Sequence, residues 1–247
     1  MIVILGGTTE GRELAAACAE RGLPAVLSLA GRTRAETPPA AGGSRRGGFG
    51  GVAGLVDYLR EHDATLVIDA THPFAATMTA HAAEACRLAG VPLVRLSRPG
   101  WEGHPLSGTW RWVRDHAEAA AAADDLGSRT VLLTVGKQHA ADYAERLARR
   151  HVVARMTEPP SVALPAAWEL LLARGPFRLD DELALFRRLG VEAVITKDSG
   201  GAQTAAKLDA AAATGAAVIM IRRPAPPDGV ATVTTVADAL DRLPSPH

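Results

Sequence analysis

The sequence predicts an α/β fold with two Rossmann-like lobes, each with a parallel sheet, and an active-site cleft between them. Three observations lead there. Four times the chain runs from an alanine-rich helical segment through one glycine into a short apolar run: Arg21-Gly22-Leu23-Pro24-Ala25-Val26, Ala89-Gly90-Val91-Pro92-Leu93-Val94, Leu189-Gly190-Val191-Glu192-Ala193-Val194 and Thr214-Gly215-Ala216-Ala217-Val218-Ile219. Glycine just past a helix supplies the left-handed residue that closes it, and apolar runs of this length suit strands covered on both faces. The resulting alternation of helix and strand is that of parallel βαβ units. Finally, small, polar and ionisable residues gather in the loops after strands, whereas most connections after helices are plain glycine turns. Open parallel sheets bind ligands beyond the carboxyl ends of their strands.

Strands are expected near 2–5, 25–29, 66–70, 92–96, 131–135, 152–155, 192–196 and 217–221, with helices in most of the gaps. The pattern breaks at Ser97-Arg98-Pro99-Gly100-Trp101, and the stretch to Trp112 is rich in glycine, proline and tryptophan. That break divides the chain into a nucleotide-binding lobe, 1–98, and a second α/β lobe, 99–247, that contributes substrate binding. Lysine plus arginine and aspartate plus glutamate both number 27, so no global field favours nucleic acid or an anionic membrane as partner. Cys18 and Cys86 fall inside helical patterns, outside any metal-ligand spacing, and read as small buried hydrophobes without a disulfide. The N-terminus runs directly into Ile2-Val3-Ile4-Leu5, with no basic leader and no long apolar stretch, which points to the cytoplasm. Little in the sequence marks an interface, so a monomer or weak homodimer is expected.

The loops carry the chemistry. Gly6-Gly7-Thr8-Thr9-Glu10-Gly11 lies between the first strand and the first helix, where backbone N–H groups and the positive end of the helix dipole meet a nucleotide pyrophosphate. The second strand ends Ser28-Leu29-Ala30-Gly31-Arg32-Thr33-Arg34 without the acid that holds an NAD ribose, and Ser28, Arg32 and Arg34 suit a 2′-phosphate instead. Arg45-Arg46-Gly47-Gly48-Phe49-Gly50-Gly51 reads as a close-approach loop near adenine or phosphates rather than an RNA-binding segment. In Asp69-Ala70-Thr71-His72-Pro73, Pro73 suits the first position of a helix, and His72 reads equally as a cap or as a ligand donor. Gly136-Lys137-Gln138-His139 is a further polar loop after a strand. Lys197-Asp198-Ser199-Gly200-Gly201 places a lysine able to hold a carboxylate or give a proton beside glycines that admit substrate. Arg174-Gly175-Pro176-Phe177 and Arg222-Arg223-Pro224 add cations in turns. No metal is expected.

Taken in order, Leu5-Gly6-Gly7-Thr8-Thr9-Glu10-Gly11-Arg12, Asp69-Ala70-Thr71-His72-Pro73, Arg174-Gly175-Pro176-Phe177, Thr196-Lys197-Asp198-Ser199-Gly200 and Arg223-Pro224 resemble the signature of the precorrin-6A reductase family over nearly the whole chain. The resemblance implies NADPH-dependent reduction of one carbon–carbon double bond of precorrin-6A to give precorrin-6B in cobalamin biosynthesis, without flavin or metal. Combined with the loop reading, this gives the expectation of a nucleotide held by Gly6 to Gly11, Ser28, Gly31, Arg32, Thr71 and His72, and of a polycarboxylate macrocycle met by Arg174, Lys197, Ser199, Gly200, Arg222 and Arg223. Lys197 and His72 are then candidates for positioning or proton supply, with Asp198 orienting Lys197. A cobalt-containing substrate fits the same loops, and the alternative from another class is a non-catalytic NADP-sensing regulator, which would have no need for Lys197-Asp198-Ser199-Gly200-Gly201.

Overall fold

Ile2, Val3, Ile4 and Leu5 are all buried, and the pleat sends them alternately to the two faces of a sheet. Ile2 and Ile4 join Leu14, Cys18 and Ile68, while Val3 and Leu5 join Leu55, Leu59 and Cys86. A strand apolar at every position needs cover on both sides, and helices supply it. The computed structural model describes residues 1–30, 43–201 and 204–243, and the chain forms two compact units, 1–99 with 224–247, and 100–223.

The first unit runs through β1 (Ile2–Leu5), α1 (Thr9–Glu20), β2 (Ala25–Leu29), β3 (Ser44–Arg46), α2 (Gly51–Glu61), β4 (Leu66–Asp69), α3 (Ala76–Ala89) and β5 (Leu93–Leu96). The second contains β6 (Arg111–Val113), α4 (His116–Asp125), β7 (Thr130–Leu133), α5 (Ala144–Leu147), β8 (His151–Met156), β9 (Trp168–Leu172), α6 (Leu179–Leu189), β10 (Ala193–Lys197), α7 (Ala206–Thr214) and β11 (Ala217–Ile221). The chain then returns to the first unit as β12 (Ala231–Val233) and α8 (Val236–Leu240).

Each sheet has six strands, ordered β12-β5-β4-β1-β2-β3 and β6-β11-β10-β7-β8-β9. All pairings among the described residues are parallel. The sequence reading places everything from residue 99 onward in the second lobe, and the structure corrects this for 224–247. There β12 pairs with β5, Ala231 opposite Val94 and Val233 opposite Leu96, and Val233 and Ala239 enter the core of the first unit. That long-range pairing has no local sequence signal.

Cys18 and Cys86 are free and buried, and burial pushes the Cys86 thiol up to about 12, consistent with two inert packing residues. In the second unit one face of the sheet carries charge under α6. Arg155 of β8 donates to Glu182 of α6, both are buried, and the Phe177 ring covers the guanidinium at 4.1 Å. Lys207 on α7, also buried, donates to the Thr204 carbonyl at 2.6 Å, and burial lowers its amine to about 7. No helix among the described residues is long and apolar enough to cross a membrane.

Candidate active site

In the first unit the expected nucleotide loop sits at the carboxyl edge of the sheet. Thr8 caps α1: its hydroxyl accepts from the Gly11 N–H at 3.1 Å and donates to the Ala70 carbonyl at 2.8 Å, tying the turn to the end of β4. Gly7 has φ +138°, and a Cβ there meets nothing within 4 Å, so the loop is open above it. A Cβ on Gly11 comes within 3.2 Å of Ala70 Cβ and 3.4 Å of Gly6 Cα, so glycine allows α1 to approach β4 closely. Arg12 donates to the Thr9 hydroxyl at 3.2 Å. Glu10 pairs with Arg98 at 2.9 Å. Burial works against the Glu10 carboxylate, but its own backbone hydrogen bond and the Arg98 guanidinium outweigh burial and hold it below its ordinary value.

At the neighbouring strand tip Ser28 is buried, and Arg45 of β3 donates to its hydroxyl at 2.8 Å. The same guanidinium donates to the Gly47 and Gly48 carbonyls at 3.2 and 3.1 Å and lies 3.9 Å over the Phe49 ring. Sequence reasoning marks this glycine-rich loop but passes over Arg45 as a site residue. The signal was the run Arg45-Arg46-Gly47-Gly48-Phe49, a cation followed by a backbone able to fold back on it. Gly31, Arg32 and Arg34 lie outside the described residues.

The turn after β4 is built around Asp69, which is fully buried. One carboxylate oxygen accepts from the Thr71 N–H at 3.0 Å and the Thr71 hydroxyl at 2.6 Å; the other accepts from the Thr79 hydroxyl at 2.7 Å and Arg95 at 2.5 Å. Thr71 is thereby fixed by the protein itself. His72 Nδ1 accepts from the Phe74 N–H at 3.2 Å, so the ring's outward nitrogen is Nε2. Pro73 does not start α3, as the sequence suggested. It occupies a turn closed by the Ala75 N–H to the His72 carbonyl at 2.8 Å, a position where its fixed φ is equally favourable, and α3 begins at Ala76.

In the second unit Lys197 ends β10, and burial lowers its amine to about 8. Asp198, expected to orient Lys197, has its carboxylate taken by the Trp101 N–H at 2.6 Å and Arg223 Nε at 3.1 Å. Gly100 is pressed against this pair: a Cβ there falls 2.7 Å from both Asp198 carboxylate oxygens and 2.8 Å from Arg223 Nη2. Ser199 is buried, and Gly200 and Gly201 both have positive φ, +63° and +86°, a backbone that two side-chain-bearing residues would strain. Arg222 reaches Glu102 at 2.7 Å and lies 4.8 Å over the Trp112 ring. Arg174 follows β9, at the far edge of the sheet from β6 and β11, and is exposed. The Lys197 loop and Arg223 are thus brought together, and Arg174 stands three strands away from β10.

A second cluster at this sheet's carboxyl edge was not assembled by the sequence reading. His116 opens α4 behind its cap Asp115, and His139 follows β7, the strand beside β10. Their rings stack with centroids 3.9 Å apart and planes 12° from parallel. Tyr143 Oη lies 2.7 Å from His116 Nδ1, and Asp142 lies 2.9 Å from His139 Nδ1. His116, His139 and Asp142 are close enough to offer three ligands to a metal. Imidazole lone pairs lie in the ring plane, however, so two nearly parallel rings do not aim theirs at one point, and the arrangement suits hydrogen bonding. Burial, together with the His139 and Lys197 charges, lowers His116 to about 4, so it is neutral near pH 7.

Two doubly wound parallel sheets, the first with a glycine turn opening onto a helix N-terminus and the second with a cationic edge, define a Rossmann-like α/β architecture. The family model described as "Precorrin-6x reductase CbiJ/CobK" matches residues 1–243, and the chain belongs to that family. It is a reductase of cobalamin biosynthesis. A relative from Rhodococcus erythropolis named precorrin-6A reductase is 48% identical over 97% of this chain and 95% of its own length. A solved structure of "CobK precorrin-6A reductase" superposes with TM-score 0.86 at 40% identity, covering 97% of this chain and 94% of that one. The Salmonella typhimurium protein named cobalt-precorrin-6A reductase is 30% identical, over 91% of this chain and 88% of its length.

Proposed function

We propose that this protein reduces one carbon–carbon double bond of precorrin-6A to give precorrin-6B, with NADPH as the electron donor. The nicotinamide supplies a hydride; the chain binds, orients and manages protons. Gly6 to Gly11 and the start of α1 hold the pyrophosphate, with Gly7 giving the backbone open access. The turn of Thr71 and His72, made rigid by Asp69, takes the nicotinamide end. Lys197, Ser199, Gly200, Arg222, Arg223 and Arg174 meet the carboxylates of the macrocycle. Asp198 holds Arg223 in place for that task.

The preference for NADP over NAD rests on the contact between Arg45 and Ser28. NAD sites of this architecture hold the ribose 2′-hydroxyl with an acid at the second strand. Here the tip of β2 carries a buried serine gripped by a guanidinium that three further contacts hold still. Arg32 joins it in this reading. A cobalt-free substrate is favoured by the greater identity to the Rhodococcus relative, 48% against 30% to the cobalt-precorrin-6A reductase. The enzyme works in the cytoplasm as a monomer or weak homodimer.

Anaerobic absorbance with purified protein tests this: NADPH consumption is expected with precorrin-6A and to be slower with its cobalt form. Absence of turnover with either substrate refutes the reading. Losing a hydrogen bond to a charged group costs roughly 1.5–3 kcal/mol, so Arg45→Ala is expected to weaken NADPH about 10- to 100-fold while barely affecting NADH. Equal losses for the two nucleotides remove the 2′-phosphate assignment.

A further inference from the structure

Reduction of a double bond by hydride leaves an electron pair that must take up a proton, so a reductase of this kind has to supply an acid. We propose that His139, oriented by Asp142 and stacked on His116, is that acid and gives its proton from Nε2. The inference rests on the reductase reading above.

Three features of the cluster carry it. The first is location: His139 follows β7 and His116 opens α4, both at the carboxyl edge of the second sheet, and Lys197 ends the adjoining β10. The second is orientation. An ionised carboxylate only accepts, so the Asp142 contact at 2.9 Å engages the Nδ1 proton of the His139 imidazolium, the donating form, and leaves its Nε2 proton facing outward. A carboxylate that holds an imidazole in one tautomer is a recurring acid–base device. The third is access. The His139 side chain is 42% exposed and draws a replacement proton from water after each turnover, whereas Lys197 is largely enclosed.

His116 completes the device as a positioning residue. The Tyr143 hydroxyl holds its ring at 2.7 Å, and burial pushes the phenol well above its ordinary value, so Tyr143 stays neutral. The groups acting on His116 are His139, Lys197, Asp142 and Asp115, and the net result keeps it uncharged. The step balances: hydride adds to one carbon, the displaced π pair takes the Nε2 proton, the nicotinamide leaves oxidised, and solvent reprotonates the imidazole.

Steady-state kinetics with precorrin-6A and NADPH, run as pH profiles on wild type, His139→Gln and Asp142→Asn, test the idea. General acids contribute on the order of 100-fold or more, so His139→Gln is expected to lose about that much kcat with KM little changed, and to be partly rescued by added imidazole when the substitution is His139→Ala. Asp142→Asn is expected to shift the kcat profile and, in NMR titration of the folded protein without ligands, the His139 ring resonances. NADPH binding followed by fluorescence is expected to be unchanged in all three variants. Folded variants with wild-type kcat overturn the assignment of the acid, while an inactive wild type overturns the reductase reading on which it rests. Activity removed by a chelator and restored by zinc also overturns it, making the cluster a metal site.

Discussion

The Asp69 network is the part of the first unit whose removal has the most predictable cost. Asp69 is fully buried and Arg95 is 6% exposed, and the carboxylate accepts from Arg95, from both polar groups of Thr71 and from Thr79. In Asp69→Asn the side-chain shape survives, but the Arg95 charge is left buried without its counter-ion. Breaking one member of a buried pair in this way costs about 3–5 kcal/mol, against about 5–15 kcal/mol for the total stability of a typical domain. Arg95→Met leaves the carboxylate with three of its donors, so it is expected to cost less. The double variant removes both charges and is expected to cost well under the sum of the two single losses. The assay is urea denaturation followed by far-UV circular dichroism, because all four tryptophans, Trp101, Trp110, Trp112 and Trp168, lie in the second unit and their emission does not report on β4 directly. Hydrogen exchange in 66–69 and 93–96 localises the effect. Strictly additive single losses refute the claim that the charges are coupled across this contact.

Two further outcomes follow from the second unit. Lys207 titrates near 7 when folded and near 10.5 when unfolded, because burial disfavours its charge. Between those values the unfolded chain binds more protons, so stability rises as pH goes from about 7 toward 10. Below 7 the full penalty is present, about 1.4 kcal/mol for each pH unit that separates the two values. Lys207→Met is therefore expected to raise stability at pH 6 by a few kcal/mol and to flatten the pH dependence of the urea midpoint; an unchanged slope rules this out. Gly100→Ala inserts a methyl 2.7 Å from both Asp198 oxygens and is expected to cost about 1–3 kcal/mol while raising KM for substrate through displaced Arg223. Wild-type KM in that variant would detach the Asp198 and Arg223 pair from substrate binding.

What the sequence made legible divides along a physical line. The eight expected strands are the four inner strands of each sheet, and the four it missed, β3, β6, β9 and β12, are the four edges. An inner strand such as Ile2 to Leu5 is buried on both faces and flanked on both sides, so its composition is dictated at every position. An edge strand is held from one side only. Ser44-Arg45-Arg46 and Arg111-Trp112-Val113 are three residues long and each carries arginine, and β9 leaves Leu170 and Leu172 exposed. Such segments become strands because a neighbour presents a ladder, not because their own pattern demands it.

The same line runs through the sites. The loops after inner strands were found because their strands were found, and the leading motifs of the family fall on them. Arg45 was missed because its meaning comes from Ser28, 17 residues earlier in the chain and one strand away in the sheet. The loop of His139 was marked, but its pairing with His116 was missed because 23 residues and an entire helix separate two side chains whose rings stack at 3.9 Å. One local clue existed: Asp115 followed three residues later by Glu118 announces a helix start, and the Asp115 carboxylate does accept from the Glu118 N–H at 2.8 Å. Joined to the parallel topology, that cap alone places His116 on the carboxyl edge, the same edge as the polar loop of His139. What it cannot supply is β6 itself, the unrecognised edge strand that sets where α4 begins, so the missed strand and the missed histidine pair have one cause.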